Sequence, residues 1–138
     1  MTIVQGMTTS FKGELPLGIQ ALTTDTLKMA LYTGNANLNA DTTVYTTSNE
    51  ITGTGYTAGG KTITGVTVST SGTTAYISFA NVTWTPASFT SRCALIYNAS
   101  KGNKAIAVLD FGADKTASST FTVQLPPNTV ADALLRIL

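Results

Sequence analysis

Between residues 26 and 33 apolar and polar positions alternate cleanly. Leu27, Met29 and Leu31 point one way, while Lys28, Ala30 and Tyr32 point the other. Side chains along a strand alternate between its two faces, so this period of two predicts a β-strand. Residues 33–39, with Gly34-Asn35 among them, read as a turn. Residues 61–70 resume the β pattern, with Ile63 out of phase with Val66 and Val68. Gly65 sits where the phase changes, which predicts a bulge. Ser71-Gly72-Thr73 is a short hairpin signal leading into Ala75-Tyr76-Ile77-Ser78-Phe79. Residues 92–98 and 104–111 are nearly continuous apolar runs joined by a hairpin-like loop, the pattern of strands buried on both faces. Residues 120–125 alternate with Phe121, Val123 and Leu125 inward. Pro126-Pro127-Asn128 ends that run, and residues 132–138 are predicted to form a last strand.

The remaining stretches are less regular. Residues 2–9 read as an extended arm, and Ser10-Phe11-Lys12-Gly13-Glu14-Leu15 suits a helical turn capped by Ser10 and limited by Gly13 and Pro16. Residues 41–60 carry no clear period, and Gly53, Gly55, Gly59 and Gly60 supply turn positions there. Trp84 and Pro86 fall in a loop or edge segment. Nothing keeps a helical period over three turns, and no repeat or linker divides the chain. The expected architecture is all-β: a single-domain two-sheet β-sandwich, jelly-roll-like, over residues 25–138. An extended N-terminal arm and short helical turn over residues 1–24 precede it.

Composition sharpens this picture by exclusion. Only 11% of the 138 residues are charged, against roughly 25% in ordinary soluble domains. Net charge is +1 with the cations scattered, whereas nucleic-acid binding relies on clustered cations; no nucleic-acid partner is expected. Cys93 is the only cysteine and histidine is absent, which excludes an intrachain disulfide and zinc sites of ordinary composition. Cys93 lies in the apolar run Cys93-Ala94-Leu95-Ile96, where a buried, inert thiol is expected. Neither a signal peptide nor a membrane span is expected, because there is no basic-then-apolar leader and no long apolar run.

Gly55-Tyr56-Thr57-Ala58-Gly59-Gly60-Lys61-Thr62 satisfies the phosphate-loop pattern G-x-x-x-x-G-K-[ST], and Ala105-Ile106-Ala107-Val108-Leu109-Asp110 resembles a metal-holding strand. A phosphate loop joins a buried strand to a helix whose N-terminus holds the anion. Here the loop is preceded by Ser48-Asn49-Glu50-Ile51-Thr52 and followed by the β-branched Ile63-Thr64-Gly65-Val66-Thr67-Val68, so structural glycines are the expected reading. Asp110 and Asp114 lack the spacing of a calcium loop and read as a polar turn. No catalytic residue, cofactor or metal site is expected. Among the aromatics, Tyr56, Tyr76, Tyr97 and Trp84 could present a binding surface, with Trp84 suited equally to a core plug or an interface.

Four blocks taken together carry a resemblance: Asp25-Thr26-Leu27-Lys28-Met29-Ala30-Leu31-Tyr32-Thr33, Tyr45-Thr46-Thr47-Ser48-Asn49-Glu50, Gly53-Thr54-Gly55-Tyr56-Thr57-Ala58-Gly59-Gly60, and Ala94-Leu95-Ile96-Tyr97-Asn98. Over most of the chain from Phe11 onward it resembles the capsid cement (decoration) proteins of tailed double-stranded-DNA bacteriophages, short-tailed phages among them. The resemblance implies a jelly roll on the capsid exterior that clamps major capsid protein subunits, pairs with itself as a homodimer and reaches the virion from the host cytoplasm. It implies no membrane partner. Ile3, Val4 and Met7 are too apolar for a solvated tail, and they are expected, with Phe11, Tyr56 and Trp84, to form the partner interface. On that expectation the arm orders on a neighbouring subunit; the alternative is that it packs on its own domain, since tied-down termini are common. The alternative function is a tail-associated receptor-binding or fibre module recognising host glycans.

Overall fold

The computed structural model describes residues 2–126, 129 and 131–137. The first elements are two short strands, β1 (Thr2–Ile3) and β2 (Gly6–Met7), and the helix α1 (Thr9–Glu14). Then come β3 (Leu27–Tyr32), β4 (Asn37–Leu38), β5 (Lys61–Thr62) and the hairpin of β6 (Thr67–Ser71) with β7 (Thr74–Ser78). The later strands are β8 (Val82–Trp84), β9 (Phe89–Asn98), β10 (Lys104–Ala117), β11 (Phe121–Val123) and β12 (Leu135–Ile137). The chain is mostly β, in several sheets, none of which closes on itself among the described residues.

The largest sheet has the order β2-β10-β9-β3-β5, and its neighbours run antiparallel. Its middle strands explain the unbroken apolar runs. Cross-strand partners Met29–Ile96 and Leu31–Ala94 face one side, where they join Phe11, Ile77, Val82, Trp84, Phe121 and Leu135 in the larger core. Ala30–Leu95 and Tyr32–Cys93 face the other side and pack with Ala36, Leu38, Ala105 and Val108 in a smaller core. A register shift between Ala105 and Ala107 turns both Ile106 and Ala107 toward the larger core. Each fully buried aliphatic side chain here contributes roughly 1.5–3 kcal/mol.

Several expectations are corrected. The arm does not project: β1 lies parallel to β4, and β2 forms the edge of the large sheet beside β10. Ile3 packs on the smaller core and Met7 on the larger, so both are half-buried within the chain. The cap of α1 is Thr8, whose hydroxyl accepts from the Phe11 amide at 3.3 Å, rather than Ser10. Gly65 marks a change of sheet instead of a bulge, because β5 pairs with β3 while β6 pairs with β7. Trp84 ends a true strand, β8, paired with β11. Strands β9 and β10 outrun their apolar segments, since Thr90–Thr116 and Phe89–Ala117 continue the ladder past a shift between Asp110 and Lys115. The last strand is shorter than expected. The proposed break at Pro127 and Asn128 and the final residue Leu138 lie outside the described residues.

Candidate interaction surface

The phosphate-loop pattern folds into something other than a phosphate cradle. Lys61 and Thr62 form β5, which pairs with β3, and no helix follows. Gly55 and Gly60, both at positive φ, lie so close to other segments that a Cβ would overlap the Pro86 carbonyl at one and the Met29 carbonyl at the other. The glycines are therefore needed for close backbone contact, Gly55 with the connection between β8 and β9 and Gly60 with β3. The Lys61 ammonium donates to the Thr83 carbonyl, tying β5 to β8.

Glu50, absent from the sequence candidates, is the hub of the irregular 41–60 segment. Its carboxylate accepts from the Tyr45 hydroxyl at 2.7 Å, the Tyr56 hydroxyl at 2.5 Å and the Gly59 amide at 2.8 Å. Tyr56 in turn accepts from the Leu31 amide at 3.0 Å, and Tyr97 donates to the Gly59 carbonyl at 2.6 Å. Tyr45 stacks on Tyr97 with ring centroids 4.8 Å apart. Burial pushes the Tyr45 and Tyr56 phenols far up, and the Glu50 charge adds to the shift; burial also pushes Tyr97 up to about 12. These hydroxyls stay protonated and donate, so the cluster works as a pin.

A second network fastens residues 15–25. Buried Asn98 donates to Asp25 at 2.7 Å and to Gln20 at 3.1 Å, and Gln20 donates to Glu14 at 2.9 Å. Lys101 pairs with Asp25 at 2.9 Å and Lys104 with Glu14 at 3.7 Å. Desolvation works to raise the Asp25 pKa, but hydrogen bonds from Asn98, the Ala21 amide and Lys101 outweigh it and leave it lowered. Asp110 pairs with Arg92 at 3.4 Å and accepts from the Gly112 amide at 2.9 Å, and with Asp114 it lies at the register shift within β10 rather than in the polar turn expected. Among the described residues, no group of three or more acidic or cysteine side chains is placed to hold a metal ion, and no helix is long and apolar enough to cross a membrane.

The six residues expected at a partner interface separate by burial. Phe11 and Trp84 are buried in the larger core, where Trp84 meets Phe89 and Phe121 edge-on at 6.5 and 6.2 Å. Tyr56 packs against that core, and its hydroxyl belongs to Glu50. Ile3 and Met7 are half-buried by their own domain, leaving Val4, 51% exposed, as the outward residue of the set. Sequence reasoning missed two other surfaces. One is a groove of about 540 Å³ between distal β10 and β11, with Phe111, Phe121, Val123, Leu125 and Leu134 among its lining. The other is the sheet β12-β7-β6, where Val68 is 50% and Ile137 44% exposed although both follow the inward phase of Ile77 and Leu135. The alternation marked Val68 as apolar but carried no sign that the core stops short of it.

No protein-family model matches the chain, and neither a curated protein nor a solved structure matches it.

Proposed function

We propose that this protein is a structural virion component that binds the outer surface of a phage capsid and clamps neighbouring major capsid protein subunits. On this reading it is not an enzyme, needs no cofactor, and works as a paired copy on the shell. Its sheets would form the two layers of a jelly-roll-like sandwich. The observation that carries the reading is the use made of its polar groups. Glu50, Lys61 and Asp110 each make bonds that hold a loop or strand of the same chain. Such bonding suits a rigid module whose work is done by its surface. The resemblance to cement proteins supplies the partner. A modest contact repeated over many copies adds large total stabilisation through multivalency, and near-zero net charge keeps repulsion between copies low.

Incubation of the purified protein with DNA-filled particles that lack it, followed by cryo-electron microscopy, tests the reading. Ordered density on the shell together with greater resistance to heat is the expected result. Bare shells, with the protein found at the tail or on host cells, would overturn it in favour of a receptor-binding module.

A further inference from the structure

We propose that β6 is a pairing edge for a second copy of this chain, joining two three-stranded sheets into one of six strands about a two-fold axis. The proposal deepens the reading above, resting on it for the pairing of copies and naming the surface that pairs.

Open strand edges invite pairing with other chains, and natural proteins blunt them with charge, proline, bulges or short length. Among the described residues the other sheet edges are short, charged or irregular, β1 and β4 having two residues each and β8 three. β2 and β5 are two residues long, and β5 carries Lys61. β12 carries Arg136, β11 has three residues, and distal β10 is irregular and bears Asp110, Asp114 and Lys115. β6 is different. It ends the order β12-β7-β6, runs for five residues as Thr67-Val68-Ser69-Thr70-Ser71, and contains no charge, proline or glycine. Most of it is exposed, and Val68 is half exposed although its row neighbours Ile77 and Leu135 are buried.

The register singles out a second copy as the occupant. The two-residue loop Gly72-Thr73 closes on the pair Ser71–Thr74. A hairpin of this length closes on a hydrogen-bonded pair, and bonding alternates along the ladder. Ser69–Tyr76 and Thr67–Ser78 are then bonded pairs, and the amides and carbonyls of Val68 and Thr70 turn away from β7. A two-fold axis through Ser69 places Val68 opposite the second copy's Thr70, so both outward sets are met. Uncharged β6 meets itself without repulsion, and rotation about an axis normal to the sheet keeps both Val68 side chains on the face of Ile77 and Leu135. Two five-residue strands bury less than the roughly 1,200 Å² of a stable interface, so the pair gains from the high local concentration of a crowded shell.

The axis also sets Ser69 opposite its own counterpart as a non-bonded cross-strand pair, with Cα atoms about 4.5 Å apart. That separation is within disulfide reach. Ser69→Cys is therefore expected to give a cross-linked dimer under mild oxidation, whereas Ser71→Cys, displaced from its counterpart by four residues, is not. Native Cys93 is buried, with its thiol pushed up to about 12 by burial, and does not compete. Adding Thr70→Pro to Ser69→Cys removes an outward amide and is expected to lower cross-linking about tenfold with an unchanged melting temperature. Equal cross-linking at both positions, none at Ser69→Cys, or indifference to Thr70→Pro overturns the edge assignment. Particle binding is measured on the same variants. Cross-linking without particle binding overturns the capsid reading and supports the edge, while particle binding without cross-linking at Ser69→Cys does the reverse.

Discussion

Strands β9 and β6 are both built from residues that favour a pleated backbone, yet their fates differ. β9 runs between β10 and β3, and from Cys93 to Asn98 every residue is buried, its two faces serving two separate cores. β6 has one neighbour, and its residues are exposed or half-buried throughout. Composition separates them in part: β9 offers Cys-Ala-Leu-Ile-Tyr in succession, whereas β6 offers Thr-Val-Ser-Thr-Ser. The larger cause is position. An apolar residue contributes only as far as other elements cover it, and the described residues leave Val68 half exposed. One strand is buried on both faces, and the other leaves its surface open.

The contrast can be broken at its strong end first. Ile96→Ala, in the middle of β9, leaves a cavity beside Met29 and is expected to cost about 3–4 kcal/mol in urea unfolding. A loss near 1 kcal/mol would mean that the core around β9 collapses onto the space. Glu50→Gln tests the pin that holds the 41–60 segment over this sheet. It removes the charge from a carboxylate with three donors, and about 2 kcal/mol is expected by thermal or chemical unfolding.

Alkali sharpens the same difference. Tyr97 and Cys93, both on β9, are each pushed up to about 12 by burial, while β6 has no titratable group. In the fold these groups keep protons that the unfolded chain releases nearer their ordinary values. Their contribution is therefore complete below about pH 8.5 and is lost as pH rises toward 12. Stability measured across that range is expected to fall from the alkaline side, and a flat profile would contradict it. The smallest effect belongs to Val68→Ala, expected within about 0.5 kcal/mol in dilute solution. A larger loss at high protein concentration than at low would reveal the paired edge.

What was legible in the sequence follows from local periodicity. β3, the β6–β7 hairpin and the two-faced burial of β9 and β10 could be read from alternation and unbroken apolar runs. The misreadings fell where an element's role depends on a remote neighbour. The arm looked unprotected because its cover comes from β4 and β10, roughly thirty to a hundred residues away along the chain. Trp84 suited a core plug and an interface equally because Phe89 and Phe121 meet it only once β8 and β11 are paired.

The Glu50 hub shows the same limit. Its partners Tyr45, Tyr56 and Gly59 are close in sequence, but they converge only because the segment is laid on β3, where Gly60 touches Met29 and Tyr56 meets the Leu31 amide. By itself the sequence determined an all-β chain, the phase of its strands, and a poverty of charge that leaves few groups for chemistry. Only the tertiary structure decided which apolar side chains are covered and which strand edge stays open. Alternation says where a side chain points along its own strand, whereas burial depends on what other parts of the chain place against it.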